Sequence, residues 1–258
     1  INSRGEAIAL LKSFEEDFQI VDCDADNEPI KFPKQNKTVN VFKAIKLGLK
    51  DYFSKNGFKK ACLGLSGGID SAVVLSMAVE ALGPENVRVL LMPSQFSSDH
   101  SVEDARTLAE NLGVEYQIVP INETFAALTT TLGPVFGELP FDVAEENMQS
   151  RIRGMMMMAI SNKFGNVLLS TANKSEIATG YGTLYGDMVG ALSIIGDLYK
   201  SEVYDLARYI NRDKEIIPIN TIIKAPSAEL RLEQKDSDSL PPYDILDAIL
   251  YRMIVEGQ

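Results

Sequence analysis

The sequence is poor in the residues that metal clusters, disulfide scaffolds and histidine catalysis require. Its 258 residues include two cysteines, Cys23 and Cys62, and one histidine, His100. The cysteines lack metal-ligand spacing, and Cys62 lies in an apolar run, so both are expected to be plain thiols in a reducing compartment. His100 lies in a polar segment, and we assign it no catalytic role. The sequence therefore predicts neither a cysteine-based site nor general base catalysis by histidine.

Basic residues are also in deficit. The chain carries 25 Lys and Arg against 36 Asp and Glu, a formal net charge of −11 at pH 7. Binding to a nucleic acid needs a basic face, so we expect no nucleic-acid partner. A small anionic ligand is compatible with this charge where local cations and a metal ion outweigh the global field. Since no apolar run is long enough to span a membrane and no signal peptide is visible, we expect a cytoplasmic protein without membrane contact.

Strand-like apolar runs alternate with helical segments along most of the chain. In the predicted helix at 38–56, Val41, Ile45, Leu49 and Phe53 recur every four residues, and Gly57 follows as a C-cap. Strands are expected near 59–65, 86–93, 115–121 and 166–173, and further helices near 70–82, 101–112, 143–164 and from 243 onward. This alternation predicts an α/β fold, a doubly wound parallel sheet with helices on both faces. Ligands of such sheets bind outside the carboxyl ends of the strands.

Two segments depart from the alternation. Residues 1–36 contain two short apolar runs, at 7–14 and 18–24, which predict two short strands. Residues 225–242 are polar and bounded by prolines, which predicts a long loop. Such a loop is either a lid over a site or a plain surface connection.

A glycine-containing turn joins the first predicted strand to the next helix. It reads Ser66-Gly67-Gly68-Ile69-Asp70-Ser71. Glycines let backbone N–H groups approach a ligand, and a helix N-terminus adds unpaired donors, so the turn suits a phosphate group. It lacks the Walker lysine, and Asp70 would repel phosphate unless a cation lay between them, which implies Mg²⁺. The alternative is a simple turn in which Asp70 and Ser71 cap the helix.

This hexapeptide is similar to the signature of the ATP pyrophosphatases, which split ATP between its α and β phosphates. That group includes NAD synthetases, GMP synthetases, asparagine and argininosuccinate synthetases, and tRNA-modifying enzymes. The loop alone does not choose among them.

A second region, residues 168–207, closely resembles the core of NAD synthetase. It contains Thr171-Ala172-Asn173-Lys174-Ser175-Glu176 at a strand end and then Gly196-Asp197-Leu198-Tyr199-Lys200. Further matches at 92–105, 145–154 and 227–250 extend the resemblance over residues 37–258. The resemblance implies an adenine nucleotide alpha hydrolase-like, Rossmann-like domain at 37–258, of the glutamine-dependent branch but without that branch's basic tail. Residues 1–36 resemble the end of an upstream nitrilase-like glutaminase domain.

The resemblance implies the NAD synthetase reaction. The nicotinate carboxylate of deamido-NAD would attack the α-phosphate of ATP and release pyrophosphate. Ammonia, derived from glutamine in the full-length enzyme, would then displace AMP and give NAD. Mg²⁺ is the implied cofactor, ATP the co-substrate, and a homodimer or higher homo-oligomer the implied assembly. The alternatives are another ATP pyrophosphatase such as GMP synthetase, and a non-catalytic ATP-binding regulatory domain.

The resemblance also assigns site residues. Asp70, Glu176 and Lys200 form the catalytic set, with Asp70 and Glu176 as metal ligands. Asn147, Arg151 and Glu176 are assigned to deamido-NAD. The residues assigned to ATP are Leu65, Ser66, Gly67, Gly68, Asp70, Ser71, Thr171 and Lys200.

We make further predictions for positions on and near the predicted helix at 143–164. Asn147 and Arg151 are four residues apart and so share one helical face, whereas Arg153 is expected to point elsewhere. Met155 to Met158 are expected to pack in the core or a dimer interface, outside the site.

Leu184 and Ala191 stand where many ammonia-dependent relatives carry lysine and aspartate. This difference agrees with the glutamine-dependent branch and leaves the contacts to the nicotinate end undefined.

Overall fold

A parallel β-sheet forms the centre of the computed structural model, which describes residues 1–24 and 28–258. Its strands in that part of the chain are β1 (Ala61–Gly64), β2 (Val87–Leu91), β3 (Tyr116–Ile118), β4 (Val167–Ser170) and β5 (Leu192–Ser193). They are ordered β3-β2-β1-β4-β5, and every pairing is parallel. The chain runs outward from β1 to β3 and then returns past β1 to β4 and β5. The predicted doubly wound sheet is therefore confirmed, with its change of direction between β1 and β4.

Helices connect the strands and cover both faces of the sheet. They are α1 (Lys37–Asn56), α2 (Ile69–Leu82), α3 (Asp99–Leu112), α4 (Asn122–Phe136), α5 (Val143–Phe164), α6 (Lys174–Thr179), α7 (Lys200–Ile210), α8 (Ile219–Ile223) and α9 (Tyr243–Ile254). The sequence predicted α1, α2, α3, α5 and α9 and missed the others. α4 contains Pro134, a residue that disfavours a helix interior, and none of its residues is fully buried. α6 and α8 are only 6 and 5 residues long, too short to show a periodicity.

Side-chain alternation along the strands builds two cores. In β1, Ala61 and Leu63 point toward the larger core with α1, α2 and α7, while Cys62 points to the opposite face. That second core includes Ile152 and Met157 of α5. Burial raises the pKa of the Cys62 thiol to about 12, so it stays protonated and unreactive at neutral pH.

The prediction of two strands within residues 1–36 is wrong. The described residues of that segment, 1–24 and 28–36, contain no strand. Phe18 and Ile20 are 84% and 87% exposed, so neither packs against a core. Ile30 N–H donates a hydrogen bond to the Ala7 carbonyl (2.7 Å), but no ladder extends from it within those residues. A short apolar run becomes a strand only where a neighbouring strand or a packed face supports it.

Residues 225–242 form the predicted loop, apart from one 3₁₀ turn at Asp236–Asp238. A bilayer-spanning helix is absent from the described residues, since none of their helices is both long and apolar enough.

Candidate active site

A cavity of about 280 Å³ opens at the carboxyl edge of the sheet, beside the ends of β1 and β4. The turn after β1, the end of β4 and the start of α6 line it on the sheet side. The first turns of α2 and α3, the middle of α5, Lys224 and residues 225–230 of the long loop form its other walls. The cavity therefore lies where a doubly wound sheet binds its ligands.

The serines of the glycine-containing turn hold its shape. Ser71 Oγ donates to the Gly68 carbonyl (3.0 Å), and Ser66 Oγ accepts from the Gly68 N–H (3.1 Å). The two hydroxyls are 3.2 Å apart. The first turn of α2, which starts here, lines the cavity. Its backbone N–H groups have no partner within the helix, which makes this end of α2 suited to an anion.

The two glycines of the turn serve different purposes. Gly67 has φ +81°, and a Cβ there would lie 2.2 Å from the Ser101 carbonyl oxygen in α3. Gly68 has φ −78° and lines the cavity, and a Cβ there would meet only Ser66 Oγ, at 3.2 Å. The sequence suggested ligand approach for both glycines. In the structure, Gly67 is needed for packing against α3, and Gly68 leaves bare backbone beside the cavity.

Asp70, Glu176 and Lys200 meet because the N-termini of α2, α6 and α7 converge. Lys200 Nζ lies 2.6 Å from Asp70 Oδ2 and 3.3 Å from Glu176 Oε1. Asp70 Oδ1 accepts from Asn173 Nδ2 (2.9 Å), and Glu176 Oε2 accepts from the Asn173 backbone N–H (3.2 Å). Two carboxylates from distant parts of the chain thus share one ammonium group.

Burial and the neighbouring charges shift the pKa values of two groups in this cluster. Burial first, and then the Asp70 carboxylate, raise the pKa of Glu176 to about 8, against the attraction of Lys200. Burial lowers the pKa of Lys200, but attraction by Asp70 and Glu176 outweighs it and holds that pKa well above its usual value. Lys200 is therefore charged at neutral pH, whereas the carboxyl group of Glu176 is mostly protonated there until a further cation binds beside it.

The donor set fits Mg²⁺ that arrives together with a phosphate ligand. Mg²⁺ prefers oxygen ligands and is usually held by one or two carboxylates plus phosphate and water. Asp70 and Glu176 supply two such carboxylates at the cavity wall. No cluster of three or more acidic, histidine or cysteine ligands occurs among the described residues. Asp70 and Glu176 therefore suit a metal ion that is shared with a bound nucleotide, rather than one held by protein ligands alone.

The expectation that Arg153 points away from the site is wrong. Arg153 lines the cavity, and its Nε donates to the Met92 carbonyl (2.9 Å) at the end of β2. Burial lowers its pKa to about 10, with Glu229 and Asp187 opposing the shift, so the guanidinium stays charged at neutral pH. The helical spacing correctly placed Arg151 and Arg153 on different faces of α5. It does not specify which of these faces lines the cavity. Met157 packs in the core with Ile152, as expected, but it also lines the cavity, which the sequence did not predict.

The long loop closes one side of the cavity through hydrogen bonds to α3, to α5, to the turn after α6 and to α9. Glu229 accepts from Ser98 Oγ (3.0 Å) and Ser101 Oγ (2.6 Å) at the start of α3. Gln149 of α5 donates to the Leu230 carbonyl (2.8 Å). Asp236 accepts from Tyr181 OH (3.3 Å) and from Tyr243 OH (2.8 Å). The sequence did not single out Glu229 or Asp236, because a polar segment without periodicity does not reveal which residue turns inward.

The family model described as NAD synthase matches residues 41–258. The chain belongs to the NAD synthase family. Over its full length it is 50% identical to the glutamine-dependent NAD(+) synthetase of Synechocystis sp., of which it covers 47%. It thus spans about half the length of the curated relatives that it matches.

Two solved structures of NAD synthetases share the fold. One is the glutamine-dependent NAD+ synthetase of Acinetobacter baumannii in complex with adenosine diphosphate. It has a TM-score of 0.73 and 42% identity, and the match covers 89% of this chain and 41% of that one. The other is the NH3-dependent NAD synthetase of Campylobacter jejuni in complex with the nitrate ion, with a TM-score of 0.66 and 30% identity. That match covers 87% of this chain and 97% of the other.

In this NAD synthase chain, all but one of the residues assigned to ATP line the cavity, whereas two of the three assigned to deamido-NAD do not. Leu65, Ser66, Gly68, Ser71 and Thr171 line the cavity together with the acidic cluster, and Gly67 lies behind it against α3. Glu176, which is assigned to both deamido-NAD and the metal, lines the cavity too.

Asn147 and Arg151 share a face of α5, as their spacing predicted, but they lie outside the residues that line the cavity. Asn147 Oδ1 accepts from Thr183 Oγ1 (2.6 Å), and Arg151 Nε donates to the Leu184 carbonyl (3.2 Å). Both therefore contact the same turn. Leu184 is 65% exposed and Ala191 is also exposed, and His100 lies exposed in the first turn of α3.

Proposed function

We propose that this chain catalyses the ATP-dependent amidation of deamido-NAD to NAD. The observation that carries the proposal is the convergence of Asp70, Glu176 and Lys200 beside the turn after β1, within one cavity at the carboxyl edge of the sheet. Family membership supports the same reaction, since the relatives are named NAD synthetases.

In the first step, the nicotinate carboxylate attacks the α-phosphate of ATP, and the bond to the β-phosphate breaks. The role of the chain is to hold the triphosphate and stabilise the leaving pyrophosphate. The first turn of α2 supplies backbone N–H groups, while Lys200 and Arg153, which both line the cavity, supply positive charge. Asp70 and Glu176 would hold Mg²⁺, which neutralises phosphate charge when bound.

In the second step, ammonia attacks the acyl carbon of the adenylate, loses a proton, and AMP leaves. Adenylation makes this substitution feasible because phosphate is a better leaving group than the oxide of a free carboxylate. We propose that glutamine supplies the ammonia through a glutaminase domain in the same protein. The glutamine-dependent relatives support this, because they are about twice as long as the chain. Residues 1–36 would belong with that domain.

The test is a direct assay of the chain with ATP, Mg²⁺, deamido-NAD and ammonium chloride. We expect NAD and AMP to form in equal amounts, with pyrophosphate rather than phosphate as the other product. AMP formed with xanthosine monophosphate in place of deamido-NAD would instead indicate a GMP synthetase. ATP binding without any AMP release would indicate a regulatory domain, and either result would overturn the proposal.

Arg151 and Arg153 should respond differently to substitution. Arg153→Ala removes a charge from the cavity and should raise the dissociation constant of ATP by about 10-fold or more, as loss of a charge-assisted contact does. Arg151→Ala removes an exposed side chain at the 183–184 turn and should raise the KM for deamido-NAD more than that for ATP. Equal effects of Arg151→Ala on both substrates would show that its assignment is wrong. An unchanged ATP affinity in the Arg153→Ala variant would remove Arg153 from the phosphate site.

We further propose a homodimer or higher homo-oligomer and a cytoplasmic location. Exposed apolar side chains along and between α4 and α5 support self-association: Val135 is 77%, Leu139 75%, Val143 63% and Met155 61% exposed. The free thiols of Cys23 and Cys62 support a reducing compartment. Light scattering in solution would measure the mass, and a monomer at all concentrations would contradict the assembly.

A further inference from the structure

A buried carboxylate outside the cavity, Asp247 of α9, binds the N-terminus of the helix that carries Lys200. Asp247 is only 6% exposed. Its Oδ2 accepts from the Ser201 backbone N–H (2.8 Å), and its Oδ1 accepts from the Ser175 hydroxyl (2.5 Å). Ser175 Oγ in turn accepts from the Lys200 backbone N–H (2.9 Å). One carboxylate therefore satisfies, directly or through Ser175, two donors that the start of α7 leaves unpaired.

The same face of α9 makes two more contacts with the start of α7. Tyr243, Asp247 and Tyr251 are four residues apart and so lie along one side of the helix. The Tyr243 ring centroid is 5.2 Å from Lys200 Nζ. The Tyr251 ring packs edge-on against Tyr199, the residue before Lys200, with centroids 6.5 Å apart. All three contacts converge on the segment that carries Lys200.

Asp247 also connects Lys200 to the second acid of the cluster. Ser175 immediately precedes Glu176, so the hydrogen bond from Ser175 to Asp247 ties the start of α6 to α9. The Ser201 N–H ties α7 to the same carboxylate. The negative charge lies at a helix N-terminus, where it interacts favourably with the helix dipole. A change at Asp247 would thus alter how α6 and α7 sit relative to each other.

We propose that Asp247 is a positioning residue of the reaction, which fixes α7 against α6 so that Lys200 Nζ lies between Asp70 and Glu176. The proposal rests on the proposed function, because it concerns the role of Lys200 there. Asp247 lies outside the residues that line the cavity, and it reaches the cluster through Ser175 and the Ser201 backbone N–H.

A double-mutant cycle between Asp247 and Lys200 tests this. Asp247→Ala should lower kcat for NAD formation by about 10- to 100-fold, the loss expected when a catalytic group moves by about 1 Å. Lys200→Met should lower it further. The double variant should be no slower than Lys200→Met alone, because Asp247 acts through the group that is already missing. If the losses in kcat from Asp247→Ala and Lys200→Met multiply in the double variant, the proposal is overturned. A wild-type rate in Asp247→Ala would also overturn it.

Two further variants separate positioning from folding. Asp247→Asn keeps the volume and an oxygen for the Ser201 N–H, and its amide group can donate to Ser175, so it should recover most of the rate. Asp244→Ala removes an exposed carboxylate of the same helix and should behave as wild type. Should Asp247→Ala fail to fold, the cycle is run with Asp247→Ser, whose single hydroxyl cannot replace both carboxylate oxygens; non-additivity with Lys200→Met then supports positioning and additivity refutes it.

The ATP affinity provides a readout without turnover. Calorimetry with Mg²⁺ and ATP, in the absence of deamido-NAD, should show the same coupling between Asp247 and Lys200 in the dissociation constant. A wild-type chain that forms no NAD from ammonia would disprove the proposed function only. Independent effects of the two substitutions on ATP affinity would then disprove the role of Asp247.

Discussion

Replacing Asp70 with asparagine is expected to lower the rate of AMP release by at least about 100-fold, the loss typical of removing one electrostatic contact to a transition state. The substitution keeps the side-chain volume and the oxygen that accepts from Asn173 Nδ2. It replaces the oxygen that contacts Lys200 Nζ at 2.6 Å with an amide group, which places donor against donor. It also removes one of the two carboxylates proposed to hold Mg²⁺.

Steady-state release of AMP, measured over a range of Mg²⁺ concentrations, checks this expectation. Asp51→Asn is the matched control, since Asp51 forms an exposed ion pair with Lys55 on α1, outside the residues that line the cavity. Its rate should match that of the wild-type chain, because exposed pairs contribute little. A near-normal rate in Asp70→Asn, with an unchanged Mg²⁺ requirement, would remove Asp70 from the metal and catalytic assignments.

Replacing Gly67 with alanine is expected to lower the free energy of unfolding by about 2–4 kcal/mol, within the range for strained backbone and overpacked sites. The residue has φ +81°, which L-amino acids other than glycine rarely adopt. Its new Cβ would lie 2.2 Å from the Ser101 carbonyl oxygen. That oxygen is backbone, so the turn or the start of α3 would have to move. Denaturant-induced unfolding measures the change.

Gly68→Ala is the control for the neighbouring position. Gly68 has a negative φ, and its Cβ would meet only Ser66 Oγ at 3.2 Å, so the cost in stability should be below about 1 kcal/mol. Because Gly68 lines the cavity, the added methyl group should instead weaken ATP binding. Equal stabilities of the two variants would show that Gly67 is not held by packing against α3.

The fold could be predicted to the extent that local pattern determines it. Val41, Ile45, Leu49 and Phe53 define α1 because helical spacing puts them on one side, and Gly57 ends the helix in a left-handed conformation (φ +73°). The two runs in residues 1–36 were assigned wrongly because strand pairing depends on a neighbour that local composition does not specify.

For the site, the order of the amino acids specifies which chemical groups are present. The order of strand, glycine turn and helix placed Ser66, Gly68 and Asp70 at the carboxyl edge of the sheet, since parallel strands bring their carboxyl ends to one edge. The motif that contains Glu176 and Lys200 indicates the family without any knowledge of contacts, and the match of the NAD synthase model to residues 41–258 confirms it.

How those groups meet depends on packing between distant segments of the chain. Asp70 and Lys200 are 130 residues apart, and their contact depends on how the N-termini of α2 and α7 converge. The inward direction of Arg153 and the buried bond between Asp247 and the start of α7 depend in the same way on packing between distant segments. Local sequence determines which helices form and which faces are apolar. The relative placement of their ends comes from the whole core, because each end is fixed by burial and hydrogen bonds that other parts of the chain supply.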